Sequence, residues 1–180
     1  MTYLALLRGI NVGGNNIIKM KDLKECFESM KFSDVRTYIQ SGNAVFGATK
    51  ATPEKLEKKI EAGLKKAFDY NGFVVVVSEK ELEQIVKEAP KGFGIDAAKY
   101  RYDVIFLKRP MTAKKAGVDV PTKEGVDTMH IGKSALYFSR LTAKASSSRL
   151  HKITGLPVYK HLTIRNWNTT TKLLDMMQTD

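Results

Sequence analysis

Cysteine is almost missing from this chain: Cys26 is the only one in 180 residues. No disulfide can form within the chain, and no cysteine cluster can hold zinc or an iron–sulfur group. That usage suits a reducing compartment, and a cytoplasmic protein is expected. Long apolar runs are missing too, since none approaches the roughly 18 residues of a membrane span. Residues 1–8 have no basic leader and run into Arg8, so they read as a strand and not as a signal peptide. Acid is missing from a long C-terminal stretch, where neither Asp nor Glu stands between Asp127 and Asp175. Glycosidase-like chemistry therefore has no paired carboxylates there. The three histidines, His130, His151 and His161, lack an i,i+4 partner and neighbouring acids. No metal site is expected from them, and no cofactor is implied.

What is present is the balance of a globular protein: 43% hydrophobic, 27% charged and 9% aromatic residues. Thirty basic against nineteen acidic side chains leave a net charge of +11, which favours anionic partners. The excess is C-terminal, with Lys133, Arg140, Lys144, Arg149, Lys152, Lys160, Arg165 and Lys172 all inside the acid-free stretch. A solvated basic surface and a binding face both fit this charge pattern. Cys26 belongs to the helical apolar stripe Leu23, Cys26, Phe27 and Met30, which makes it a small buried thiol and not a nucleophile.

The elements can be read in order. Residues 3–8 make a short apolar strand, and Met20, Leu23, Phe27 and Met30 mark a helix. Strands over 35–40 and 44–46 flank the turn Ser41-Gly42-Asn43. Thr52-Pro53-Glu54 opens a helix through Phe68 with a cap, a proline at the first helical position and an early acid. Residues 73–77 are a β-branched apolar run and so a buried strand. Ser78-Glu79-Lys80-Glu81 is a capping box for a helix stopped by Pro90. This order, β-α-β-β-α-β and a helix, is the split βαβ arrangement of ferredoxin-like domains. Residues 91–99 read as a linker. Beyond it come strand 102–107, a short helix 112–116 closed by Gly117, strands 126–131 and 135–140 joined by a turn at Gly132-Lys133, a serine-capped helix 148–154, an extended segment 158–164 and a last helix. The expectation is an α+β protein of two ferredoxin-like (α–β plait, βαββαβ) domains in tandem, 1–90 and 91–180, each followed by a helix. The alternative is one α+β domain with a continuous sheet.

Three segments carry donor groups suited to a ligand. In Arg8-Gly9-Ile10-Asn11-Val12-Gly13-Gly14-Asn15-Asn16 the glycines permit positive φ and close approach, and Arg8 can pair with a phosphate or carboxylate. Asn15-Asn16 stand where a Walker A loop needs Lys-Ser/Thr, so a P-loop NTPase is excluded, as is a G-x-G-x-x-G dinucleotide fold. A plain long turn is the other reading of this loop. In Thr37-Tyr38-Ile39-Gln40-Ser41-Gly42-Asn43, Ser41 has no histidine within 80 residues to activate it, which leaves it a turn serine. The hairpin is expected at the sheet end opposite the first loop. In the third segment, 162–172, Asn166 or Asn168 can cap the last helix, whose free N–H groups with Arg165 and Thr169 suit an anion. Trp167, the single tryptophan, reads as a core anchor against Leu174 or as a stacking platform.

Ala5-Leu6-Leu7-Arg8-Gly9-Ile10-Asn11-Val12-Gly13-Gly14, Val35-Arg36-Thr37-Tyr38-Ile39-Gln40-Ser41-Gly42-Asn43 and Thr163-Ile164-Arg165-Asn166-Trp167-Asn168-Thr169 together resemble a bacterial family of unknown function, the one numbered 1697. The resemblance spans essentially the whole chain. It implies two α–β plait domains and implies no activity.

The expected site is a cleft between the two domains that binds a small anionic ligand, phosphorylated or carboxylated. Its candidate residues are Arg8, Asn11, Gly13, Gly14, Ser41, Asn43, Arg165, Asn166, Trp167 and Thr169. No catalytic residue and no reaction follow from them. The rival is an RNA or single-stranded nucleic-acid module using the basic C-terminal third. Against it, the RNA-recognition signature is missing, and the adjacent Tyr137 and Phe138 point to opposite faces of a strand. A monomer or weak homodimer is expected, with no membrane partner.

Overall fold

A computed structural model describes residues 1–14 and 16–179. Its chain forms two compact units, Met1–Leu82 joined by the residues from Leu173 onward, and Glu83–Lys172.

In the first unit β1 (Thr2–Arg8), α1 (Met20–Ser29), β2 (Ser33–Tyr38), β3 (Asn43–Gly47), α2 (Pro53–Phe68) and β4 (Phe73–Ser78) follow one another. The sheet has the order β2-β3-β1-β4, with every neighbouring pair antiparallel. Alternate residues of the central strands, Tyr3, Ala5 and Leu7 with Ala44 and Phe46, join Leu23, Phe27, Ile60 and Leu64 of the helices in one core. Phe46 is its centre, 4.5 Å from the Phe32 ring and 5.4 Å from that of Phe27. The intervening residues Leu4, Leu6, Val45 and Val75 are buried as well. Burial on both faces is why β1 and β4 read as continuous apolar runs.

Both edges of this sheet are closed to further pairing. On β2 the register slips between Ser33 and Arg36, with Asp34 at φ 49°, a bulge that bends an edge strand away. On β4 the outward N–H groups of Val74 and Val76 each donate 3.0 Å hydrogen bonds to Glu61 and Glu57, one helical turn apart on α2. Glu57 is 2% exposed; its burial is tolerated because it satisfies a strand that has no neighbour on that side.

The helix α3 (Glu79–Lys87) begins with the capping box read from sequence: the Ser78 N–H donates to Glu81 and the Glu81 N–H to Ser78 Oγ. In the second unit β5 (Tyr100–Leu107), α4 (Ala113–Asp119), β6 (Asp127–Ile131), β7 (Ala135–Leu141), β8 (Leu162–Asn166) and α5 (Trp167–Gln178) follow. The sheet order is β6-β7-β5-β8, again antiparallel throughout. Ile105, Leu107, Leu136 and Phe138 form its core with Ala116 and Ile153.

Four expectations need correction here. The serine-capped helix over 148–154 and the extended start of 158–164 are instead 3₁₀ turns, Leu150–Gly155 and Pro157–His161, preceded by a third at Thr142–Ser147. Leu150 and Ile153 are the buried residues of their turn, and a spacing of three serves a 3₁₀ turn as well as an α-helix. The short helix also runs through Gly117 to Asp119, capped by Thr112, whose Oγ1 accepts from the Lys115 N–H. The linker 91–99 is not merely polar, since Phe93 packs edge-on to Tyr102, Tyr137 and Trp167. No helix among the described residues is long and apolar enough to cross a membrane.

Candidate functional site

In the first unit the register pairs Leu6 with Asn43 and Arg8 with Phe73. The end of β1 therefore lies beside the starts of β3 and β4. This overturns the expectation that the hairpin sits at the opposite end from the first loop. Because β3 runs antiparallel to β1, the turn that precedes β3 must stand next to the loop that follows β1. The Leu7 N–H donates to the Gly42 carbonyl at 2.8 Å.

The asparagines bind these segments together. Asn11 Nδ2 donates to the carbonyls of Ile18 and Gln40, both at 2.9 Å, and its Oδ1 accepts from the Ile18 N–H at 2.8 Å. One side chain thus closes the loop and ties it to the hairpin. Asn16 Nδ2 donates to the Gly9 carbonyl, and the fully buried Asn43 donates to the Tyr38 carbonyl and to Ser41 Oγ. Asn15 of the same loop lies outside the described residues. Gly42 has φ 79°, and a Cβ there would stand 2.8 Å from Leu7 Cβ and 2.9 Å from Ile10 Cδ1. Only glycine fits.

Arg8 is held at both ends. Its carbonyl accepts the Tyr70 hydroxyl, and its guanidinium carbon lies 4.1 Å from the centroid of the Phe73 ring, a cation–π seating. Beside it Gly9, Asn11, Gly13, Gly14 and Asn16 all have positive φ, and Gly13 and Gly14 are exposed. Turns in which positive-φ residues alternate with negative-φ ones, as over 9–13, are the material of backbone anion nests. The segments 8–18, 39–43 and 70–73 contain no acidic residue.

In the second unit β8 sets Arg165 opposite Val104 and Asn166 opposite Asp103. Arg165 is buried and donates Nη1 hydrogen bonds of 2.9 Å to Thr163 Oγ1 and to the Ile164 carbonyl. Asn166 caps α5, its Oδ1 accepting from the Asn168 N–H while its Nδ2 donates to the Tyr102 carbonyl. Trp167 packs edge-on against Phe93, 5.1 Å between centroids; its anchor is this ring from the 91–99 segment. Thr169 is half-buried on the first turn of α5.

Sequence reasoning missed three residues of note. Tyr70 and Phe73, which seat Arg8, act over 62 residues and through a strand register, signals no local pattern carries. Asp103 is buried with its Oδ2 3.0 Å from Arg140 Nη2, a charge contact without hydrogen-bond alignment. Burial pushes the Asp103 carboxyl above its ordinary value, while Arg140 and Arg101 pull it down. Burial likewise pushes up the Cys26 thiol, which leaves it unreactive. Among the described residues no group of His, Cys, Asp and Glu is placed to hold a metal ion.

Comparison with known proteins gives a family and a structure. The model of a family described as a protein of unknown function (DUF1697) matches residues 1–137; the segment 163–169 lies beyond that match. A conserved bacterial protein from Streptococcus pneumoniae has a solved structure similar to this one, with a TM-score of 0.84 and 26% identity over 98% of each chain. No curated protein matches the chain.

Proposed function

The chain belongs to the DUF1697 family of unknown function, and from that premise we propose that it is a cytoplasmic binding protein for a small anionic ligand carrying a phosphate or carboxylate. The observation that carries this reading is the seating of Arg8 on Phe73, with its carbonyl fixed by Tyr70, beside a left-handed, acid-free loop. A guanidinium already seated on an aromatic ring loses less freedom on binding an oxyanion, and the exposed backbone at Gly13 and Gly14 adds neutral donors. Asn11, Ser41 and Asn43 give the loop and hairpin a fixed shape. Arg165, Asn166, Trp167 and Thr169 of the second unit are proposed as donors to such a ligand in their own right.

Each unit is read, within the same proposal, as an α–β plait. The shared order of second, third, first and fourth strand supports the plait. The 3₁₀ turns replace the second helix in the second unit.

The test is thermal unfolding with inorganic phosphate, sugar phosphates and citrate. A ligand at about 100 times its dissociation constant adds about 2.7 kcal/mol, and each kcal/mol moves a chain of this size by roughly 2–4 °C. A stabilisation that disappears in Arg8→Ala supports the site. A stabilisation that disappears in Arg165→Ala supports the donors of the second unit. Stabilisation by none of these anions, with a response only to an oligoribonucleotide that fades steeply with salt, would replace this reading with nucleic-acid binding.

A further inference from the structure

On the second unit's sheet Tyr102, Ser139 and Thr128 stand in register across β5, β7 and β6, and Val104, Tyr137 and His130 form the next row. Ser139 is the smallest residue of its row, and above it the surface falls into an open hollow of about 370 Å³ walled by Tyr100, Tyr102, Phe93 and His130. Its floor is rigid. Tyr137 is 1% exposed, donates its hydroxyl to the Ile85 carbonyl at 2.6 Å, and meets the edge of Phe93 at 5.6 Å. Phe93 in turn meets Tyr102 at 4.9 Å.

The polar groups around the hollow are unusual in having nothing to do inside the protein. The hydroxyls of Tyr3, Tyr70 and Tyr137 each donate to a backbone carbonyl. Those of Tyr100, Tyr102, Thr128 and Ser139, and the ring nitrogens of His130, make no hydrogen bond among the described residues, and none is sealed from solvent. Aromatic walls with several convergent, unengaged hydroxyls suit a flat ring whose edge carries donors and acceptors. The exposed Lys91 lines the hollow, and the exposed Lys99 has its Nζ 5.2 Å from the centroid of the Tyr100 ring that walls it. They suit a negative group attached to that ring.

We propose that this hollow binds the base of a nucleotide, with the ring against Tyr100 and Tyr102, its polar edge on Ser139, Thr128 and His130, and the phosphate toward Lys91 and Lys99. The proposal does not depend on the reading given for the Arg8 loop. A free mononucleotide and one residue of a single-stranded RNA present the same chemistry.

Trp167 is a built-in reporter, because it is the only tryptophan and packs on Phe93. The full chain is titrated with the four nucleoside 5′-monophosphates and, separately, with a short oligouridylate. Tryptophan emission and the proton resonances of the His130 ring are followed. A saturable change with a mononucleotide is expected, as is a loss of at least about tenfold in affinity in Ser139→Leu, which fills the hollow. Arg8→Ala, a change in the other unit, is expected to stay within a factor of about two of the parent, the usual additivity of sites that share no partner. A saturable change with oligouridylate alone, lost in Ser139→Leu, keeps the base site and identifies RNA as its source. Thr128→Leu, an exposed position on the edge strand β6, gives the same readout should Ser139→Leu fail to fold. No saturable change with any probe at millimolar concentration would overturn the proposal, as would unaltered binding in the two folded variants.

Discussion

Asn11 and Asn43 commit their amides to backbone carbonyls, so their part in any binding event is to hold the loop and hairpin in shape. Asn11→Ala removes three hydrogen bonds and is expected to cost about 2 kcal/mol, at roughly 0.5–1.5 kcal/mol each less water compensation at a partly exposed site. The urea midpoint of the first unit reads that loss. Gly42→Ala combines a left-handed backbone with contacts under 3 Å and should cost about 1–3 kcal/mol. Asp103 behaves differently, because burial holds its carboxyl above the ordinary 3.8. Folding then favours its protonated form. Its ionisation costs stability above the raised pKa, and that cost vanishes as the pH falls below the unfolded value. Stability measured against pH should therefore rise on acidification in the parent relative to Asp103→Asn; parallel curves would refute a raised Asp103. Arg8, Asn11 and Asn43 were legible in sequence as chemically pointed residues. Tyr70, Phe73 and the hollow above Ser139 were not, because each arises from a strand register and not from neighbours along the chain.

Helices announced by their own first turn were the easiest elements to read. Thr52 caps α2 through the Lys55 N–H with Pro53 following, and the Ser78–Glu81 box opens α3 as expected. Glu81→Ala should cost about 1 kcal/mol in thermal unfolding, the usual value of a lost cap. The stretch between β7 and β8 was misread because its apolar residues, three apart, do not distinguish the two helical forms. At six residues or fewer each, these turns are also too short for an α-helix to nucleate well. Glu57 and Glu61 show what no periodicity reveals, a helix supplying acceptors to the edge of a sheet. Glu57→Leu leaves the Val76 N–H without its partner and should cost about 1–3 kcal/mol. Faster aggregation should accompany it, read by light scattering, because β4 then presents an open edge.

For the whole molecule, the two units repeat one strand order with different crossovers, and this repetition was visible as a pattern of elements without residue identity. The first unit is discontinuous in sequence. It takes in the residues from Leu173 onward, with Leu173 and Met177 buried and Arg36 Nη1 donating to the Thr179 carbonyl at 2.8 Å across 143 residues. Removing residues 173–180 should therefore lower the unfolding temperature of the first unit, and a melt of the shortened chain that matches the parent would dismiss the point. Far-apart partners also set an order of events during synthesis. The sheet of the first unit leaves the ribosome long before the piece that completes it, and the intervening 83–172 must be made first. A nascent chain paused anywhere in that interval carries a first unit whose last helical face is still uncovered, which makes translation speed through the second half a determinant of how cleanly the first half folds.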